Sequence, residues 1–340
     1  MFVESSPSPT DQRPARRLIR LADGAARLRM MAIAGIATVL ITRAYLAATG
    51  YPKVGGGTIH IGHVLWGGLL MIAALTVGLV WVGERARNWT ALLGGVGVGL
   101  FVDEVGKYLT TTNDYFYRPA AAIIYLVFAA LLVVASLLGR DTRVVEPGER
   151  VAAAAQVAAD GLVSGLTSDE WARAVRLLDG CAAEDRAAIE HLLTSATVRE
   201  PGRVARFGAG VRWFIEWVVR LRYAEGVVFA LLVLSHGIVA VIFTIQAVTG
   251  EPHPNDGGAV AASAVTRGVA AVVVVAAVWL RLRSRRAAAY RLARAAVLLD
   301  LLVTEIFNFH DSQFGAVAEL PWLLVALLFL TSWQRKATDG

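Results

Sequence analysis

The residues of this sequence that could do chemistry lie within or beside long apolar stretches. His60 and His63 are three residues apart, so a helix would place both imidazoles on one face. With a carboxylate from a neighbouring helix, the two histidines could bind zinc, manganese or iron. Such a metal could activate a bound water for hydrolysis. The same histidines could instead relay protons, or lie at a membrane interface and bond to the adjacent loop.

A second group combines acids and bases within one helical turn. Lys107 follows Asp103 and Glu104 at a spacing that allows it to pair with one of the two carboxylates. The other carboxylate needs a partner, and Arg43 is the expected one. Asp103, Glu104 or Asp114 could also supply the carboxylate ligand of a metal. The cluster is therefore either an ion-pair lock between two helices or a binding site for an ion or a proton.

Two further acids, Asp300 and Glu305, fall in an apolar stretch near the end of the chain. Charged side chains in hydrocarbon are costly unless paired, so both are functional candidates. Asp300 could pair with Arg43 or Arg294, or it could carry a proton. No catalytic residue is assigned. The predicted binding residues for an ion or polar ligand are Arg43, Asp103, Glu104, Lys107, Asp114, Asp300 and Glu305.

The composition defines the class of protein in which these residues act. The chain has 340 residues, of which 56% are hydrophobic and 18% are charged, and its mean hydropathy is +0.56. A soluble domain would carry about 25% charged residues. The composition excludes an ordinary soluble enzyme and a disordered protein, and the single cysteine excludes an internal disulfide. The arginines cluster in short loops beside apolar runs, so nucleic acid is not a predicted partner.

The apolar stretches predict an all-α integral membrane protein with about eight transmembrane helices in a lipid bilayer. Each stretch is close to the roughly 20 residues that a helix needs to cross the hydrocarbon core. Loop arginines lie mainly on one side, which predicts cytoplasmic termini and a multi-pass protein of the cytoplasmic membrane. The predicted spans are Met30–Thr49, His60–Val82, Trp89–Leu109, Pro119–Leu138, Val227–Thr249, Ala259–Leu280, Ala287–Phe309 and Phe314–Trp333.

Matching segments in the two halves predict an internal duplication. Gly35–Thr42 resembles Gly237–Thr244, and Asp103-Glu104 aligns with Thr304-Glu305. Four spans in each half, an even number, make the two repeats parallel. The predicted organisation is a basic cytoplasmic leader (1–29), a first four-helix repeat (30–139), a cytoplasmic helical insert (140–206), an interfacial helix with the second four-helix repeat (207–334), and a cytoplasmic tail (335–340).

The insert is predicted to be helical because its amphipathic segments are too polar to span a membrane. Thr167-Ser168-Asp169-Glu170 is typical of a helix start, with Ser168 as the expected N-cap, and Gly180 ends that helix. Ala182–Leu193 is the predicted second helix. The insert is either a module that binds a protein partner or a spacer between the two membrane halves. Val211–Leu221, rich in aromatics and arginines, is predicted to lie in the membrane interface.

One part of the chain, about residues 58–120, resembles a pattern in uncharacterised bacterial multi-spanning membrane proteins. The pattern consists of His60-x-x-His63-x-x-Trp66-Gly67, a glycine-rich span, Asp103-Glu104 and then Asp114-Tyr115-Phe116. The resemblance implies no activity. The richness in arginine and alanine indicates a high-GC bacterium, such as an actinobacterium.

Three functions remain open at this point. The first is a transporter, or a protein that binds an ion or small ligand, with a polar site facing the extracytoplasmic side. The second is a metal-dependent membrane hydrolase or lipid-modifying enzyme. The third is a membrane scaffold with a cytoplasmic interaction module. The parallel repeat and the acid in mid-membrane favour the first.

Overall fold

The computed structural model describes residues 21, 23–49, 63–105, 118–140, 147–221, 223–249 and 257–339. These residues form thirteen α-helices, together with a π-helical segment at Asp300–Thr304 and a 3-10 segment at Gln313–Ala318. The α-helices are α1 (Gly24–Thr49), α2 (His63–Val80), α3 (Glu84–Asp103), α4 (Arg118–Arg140), α5 (Pro147–Ser164), α6 (Ser168–Leu177), α7 (Ala183–Ser195), α8 (Arg203–Arg220), α9 (Ala224–Thr249), α10 (Gly257–Leu282), α11 (Arg286–Leu299), α12 (Glu305–Ser312) and α13 (Leu320–Asp339).

Five helical segments among the described residues are long and apolar enough to cross a membrane. They are Gly24–Thr49, His63–Val80, Pro119–Gly139, Val260–Leu282 and Ala316–Gln334. Most of their surface is apolar and points away from the protein, as expected for helices solvated by lipid. The protein is therefore a multi-pass, all-helical membrane protein.

Two of the other three predicted spans correspond to helices that are more polar or interrupted. Helix α3 begins with Glu84, Arg85 and Arg87, which shorten its apolar part. The apolar stretch described for α9 covers Ala224–Ile238. The predicted seventh span is divided by the π-helical segment after α11. Five candidate spans are therefore shown among the described residues.

The chain divides into two compact units, one of which contains Ser136–Glu200 and the other Arg27–Ala135 and the chain after Glu200. In the larger unit, α9, α10, α11 and α13 share an apolar core that includes Leu232, Val274, Val297 and Leu330. Buried alanines on α11 allow this close packing. Helix α8 joins the core through Val219, whose carbonyl accepts a hydrogen bond from Trp333 Nε1 at 3.1 Å.

Glycines bring helices α1, α2 and α3 into backbone contact. A Cβ atom at Gly67 of α2 would lie 2.7 Å from both the carbonyl oxygen of Gly97 and the amide nitrogen of Phe101. A Cβ at Gly97 would in turn lie 2.8 Å from the carbonyl oxygen of Gly67. The neighbouring Gly68 has open space around it. Small residues at helix contacts are the usual means by which membrane helices pack closely.

We expect Gly67→Ala to lower the free energy of unfolding by about 1–3 kcal/mol, because the added methyl group must push backbone atoms apart. Gly68→Ala is the matched control and should change stability by less than about 1 kcal/mol, since alanine favours helix and meets no neighbour there. Thermal unfolding in detergent, followed by tryptophan fluorescence, compares the two. Equal melting temperatures for the two variants would contradict the tight α2–α3 contact.

The smaller unit has its own core and a defined helix start. Its core is formed by Ala154, Ala158, Leu178, Ile189 and other apolar residues of α5–α7. The expected N-cap, Ser168, is wrong by one residue, because Thr167 makes the cap. Its side chain accepts the Glu170 amide at 3.3 Å, and Glu170 Oε2 accepts the Thr167 amide at 2.8 Å. This reciprocal pair is a capping box.

The helix bounds differ from the prediction at several places. Helix α5 was not predicted, whereas α7 lies within two residues of the predicted second helix. The aromatic and arginine-rich segment is part of a longer helix, α8, because the apolar and basic residues before it continue the same pattern. Helix α13 runs to Asp339, so most of the predicted tail is helical.

The Glu170 carboxylate ties α6 to Arg199, whose Nη2 lies 3.2 Å from its Oε1. Burial raises the pKa of Glu170, but the Thr167 bonds and the Arg199 charge outweigh burial, so the pKa lies below its ordinary value. A lowered folded-state pKa stabilises the folded unit above the unfolded-state pKa of about 4.3. That contribution disappears as the pH falls through the folded-state value.

We expect Glu170→Gln to increase hydrogen exchange of the α6 amides about twofold at pH 7, equivalent to about 0.5 kcal/mol for the lost ion pair with Arg199, since glutamine keeps the capping-box bond. The difference from the wild type should shrink as both are measured at lower pH, since Glu170 is then protonated. Hydrogen-exchange mass spectrometry of the full chain makes the comparison at equal pH. Glu184→Gln, an exposed carboxylate on α7, is the control. A difference that grows on acidification would contradict the sign of the effect.

Candidate functional site

A chain of polar side chains crosses the interior of the second half of the protein. His236 of α9 and Asp300 of the π-helical segment are 8% and 5% exposed. Their Nε2 and Oδ2 atoms are 2.9 Å apart. The other ring nitrogen, Nδ1, lies 2.7 Å from the carbonyl oxygen of Leu232, one helical turn earlier. The apolar faces of α9 and α11 hold this pair inside the bundle.

The hydrogen bonds of the His236–Asp300 pair depend on where the ring hydrogens lie. The Ser235 hydroxyl, 3.3 Å away, can donate to a bare Nδ1, whereas a protonated Nδ1 can donate to the Leu232 carbonyl, which only accepts. The contact between Nε2 and the Asp300 oxygen then also needs a hydrogen, on either the ring or the carboxyl group. If the single hydrogen of a neutral imidazole lies on Nδ1 and the carboxylate is ionised, no hydrogen is left for the contact between Nε2 and Asp300. With a hydrogen on Nδ1, the pair can therefore hold one shared proton.

Hydroxyl groups extend the pair towards helix α10. Thr304 Oγ1 lies 3.2 Å from Asp300 Oδ1 and 3.0 Å from Thr266 Oγ1. The Thr304 side chain is completely buried. Hydroxyl groups both donate and accept, so they can pass a proton along a chain of hydrogen bonds.

A second carboxyl group follows directly after the π-helical segment. Glu305 is 1% exposed, and its Oε1 accepts a hydrogen bond from Asn308 Nδ2 at 3.1 Å. Asn308 Oδ1 accepts one from Ser263 Oγ of α10 at 2.8 Å. Glu305 Oε2 is buried and has no hydrogen-bond partner within the described part of the chain. Such unsatisfied buried atoms are rare, and this one is open to a proton or a cation.

The π-helical segment sets the backbone positions of Asp300 and Glu305. The Glu305 amide donates to the Asp300 carbonyl, five residues earlier, instead of four as in an α-helix. The Leu301 carbonyl within the segment accepts a hydrogen bond from the Tyr125 hydroxyl of α4. The Tyr125 ring also stacks on Phe309 at 4.7 Å between ring centroids. Single π-helical turns inside α-helices are frequent at functional sites.

In the first half, the expected ion pair between Arg43 and Asp103 is confirmed. Arg43 Nε lies 2.6 Å from Asp103 Oδ1, and Nη2 donates to the Asp103 carbonyl at 3.2 Å. The Asp103 side chain is fully buried. Glu104 Oε2 accepts the Val64 amide in the first turn of α2 at 2.7 Å. These two acids therefore tie α1 and α2 to the end of α3.

The expected partners of Asp300 are wrong, because His236 takes that position. Arg43 pairs with Asp103, and Arg294 Nη1 donates to Gln334 at 3.2 Å. The sequence interpretation missed His236, which it placed in an apolar span without a role. A lone histidine in such a span, beside an acid in mid-membrane, was the available signal. Thr266 and Ser263 were missed because isolated hydroxyl residues are common in apolar helices.

The metal hypothesis stays a prediction. His60, Lys107 and Asp114 lie outside the described residues. His63 begins α2, and its Nδ1 is buried without a hydrogen-bond partner among the residues that the structure describes. Within those residues, no group of three or more His, Cys, Asp or Glu side chains could hold a metal ion.

Comparisons with known proteins return no likeness. No family model matches the chain, and no curated protein or solved structure matches it either. The functional interpretation therefore rests on the geometry of the membrane-embedded residues.

Proposed function

We propose that the protein is a transporter, or an ion-binding membrane protein, that takes up and releases a proton at His236 and Asp300. The supporting observation is the 2.9 Å contact between the buried His236 Nε2 and Asp300 Oδ2, which can share a proton inside an apolar helix bundle. Ionisable groups inside membrane bundles commonly mark ion pathways and proton relays. Thr304 and Thr266 extend the polar chain from this pair, and Glu305 adds a second buried carboxyl group.

The contrast between the two halves supports a binding role over a purely structural one. Arg43 and Asp103 form a compact pair of opposite charges between two helices, as a scaffold would use. The Glu305 oxygen instead has no partner and gives the fold no evident stability. A helix lock would not require such a group. The scaffold interpretation therefore accounts for the Arg43 pair and leaves Glu305 unexplained.

The proposed architecture has eight membrane helices in two parallel repeats. Helices α1 and α9 are both 26 residues long and begin at equivalent positions. Asp103-Glu104 ends α3, and Thr304-Glu305 marks the change of helix type after α11. Arginine-rich loops favour cytoplasmic termini and insert, in the cytoplasmic membrane of a bacterium, with the polar site opening to the opposite side. Parallel repeats of this kind occur in several transporter folds.

Everted membrane vesicles test the proposal without knowledge of the substrate. An internal acid pH is generated and reported by a fluorescent amine dye, and monovalent cations, divalent cations and polar solutes are added in turn. We expect one class of solute to dissipate the pH gradient in vesicles that contain the protein, and not in empty vesicles. If every class leaves the gradient as it is in empty vesicles, proton-coupled transport is contradicted.

A further inference from the structure

A basic cavity lies between the start of α11 and the end of α13. Its volume is about 750 Å³, within the range of small-ligand sites. The buried rings of Tyr290 and Trp333, 6.2 Å apart, form its apolar side. The residues on its polar side are Ser284, Arg285, Arg286, Arg291 and Lys336.

The four cationic side chains of this cavity are exposed to solvent. Other arginines of the same unit are paired, such as Arg281 with Glu225 at 2.6 Å and Arg267 with Glu319 at 2.7 Å. No ion pair involves the four cations among the described residues. Within the described part of the chain, the cavity therefore concentrates positive charge, and the Glu225 carboxylate that bonds to Tyr290 is itself paired with Arg281 at 2.6 Å.

The backbone adds to the attraction for an anion. Helix α11 begins at Arg286, and no side chain caps its first turn. Ala287 and Ala288 of that turn line the cavity together with the arginines. Amide groups at a helix start favour negative charge, and guanidinium groups bind phosphate oxygens in pairs.

The cavity lies where two candidate spans end. The Val260–Leu282 span ends just before Ser284, and the Ala316–Gln334 span ends just before Lys336. This position corresponds to the level of lipid headgroups. Basic pockets between membrane helices at this level bind acidic headgroups.

We propose that this cavity binds a phosphate group, carried by an anionic phospholipid or present as free inorganic phosphate. The arginines hold the phosphate oxygens, and the volume beside Tyr290 and Trp333 accepts the rest of a headgroup. The cavity is independent of the His236–Asp300 pair, so its occupancy can be tested whether or not the protein moves protons.

Native mass spectrometry of the full-length protein in detergent, incubated with phosphatidylglycerol or phosphatidylcholine, measures the binding. We expect wild-type protein to retain phosphatidylglycerol, and Arg286→Gln and Arg291→Gln each to weaken binding about fivefold. Arg283→Gln is the matched control. Arg283 lies between α10 and α11 and is outside the cavity. Its guanidinium carbon is 4.6 Å from the ring centroid of Trp279. Its replacement should leave binding unchanged.

Two results would overturn the proposal. One is equal retention of both lipids by the wild type, with no response to added phosphate. The other is equal phosphatidylglycerol binding by wild type, Arg286→Gln and Arg291→Gln.

A competition experiment with inorganic phosphate shows whether the cavity binds a lipid headgroup or free phosphate. Displacement of the lipid by millimolar phosphate, but not by chloride at equal ionic strength, assigns the cavity to free phosphate, and no displacement assigns it to lipid.

Discussion

Asp300→Asn is expected to abolish proton-coupled flux and to leave the protein folded. In the variant, the asparagine amide can donate a hydrogen to the bare Nε2 of a neutral His236, so the 2.9 Å contact is kept. The hydrogen of an amide cannot be released, however. The substitution therefore copies the protonated acid permanently and removes the exchangeable proton, which makes it a sharper test than a truncation.

Dissipation of the pH gradient in everted vesicles measures this effect, with each variant first checked for equal expression and melting temperature. Glu216→Gln is the matched control, because Glu216 is an exposed carboxylate of α8 paired with Arg220 at 3.7 Å. It should retain flux close to that of the wild type. His236→Gln should lose flux as Asp300→Asn does, since the two side chains share one proton. Wild-type flux in Asp300→Asn would exclude the pair from the transport step.

Arg43→Ala is expected to lower the free energy of unfolding by about 3–5 kcal/mol, the usual cost of breaking a buried ion pair from one side. The fully buried Asp103 carboxylate would lose the guanidinium at 2.6 Å. Thermal unfolding in detergent, followed by tryptophan fluorescence, records the change. Flux should fall only as far as the amount of folded protein falls.

A double-mutant cycle separates this structural role from a functional one. The Arg43→Ala/Asp103→Asn protein should recover part of the lost stability, because the charge left behind is removed as well. A normal melting temperature in Arg43→Ala, combined with loss of flux, would instead place Arg43 in the transport pathway. The Asp300 and Arg43 variants therefore distinguish a binding site from a helix lock in the same protein.

The class of fold could be predicted from the sequence because it depends on length and apolar content alone. Stretches of about 20 apolar residues have few alternatives to a membrane helix. The number of spans is less well determined by these quantities. Helices α3 and α11 carry several charged residues each, and whether they span depends on the neighbours that shield those charges.

The sequence predicted one buried pair of the candidate site and missed another, because the two pairs differ in how many partners the sequence offers. Arg43 and Asp103 could be paired from the sequence, because a buried acid requires a cation and one was present in a neighbouring span. Asp300 had several formal partners, and its actual one, His236, is 64 residues away along the chain. The π-helical turn leaves no mark in the residue pattern, since a single widened turn depends on tertiary contacts.

The bond from Tyr125 to the Leu301 carbonyl has a consequence for dissecting the molecule. Tyr125 belongs to the first half of the chain and Leu301 to the second. A second half produced alone would present a backbone carbonyl and the apolar surface of Phe309 directly to lipid, where an unpaired carbonyl is costly. Expression of separate halves should therefore succeed only when both are made in the same membrane and reassemble.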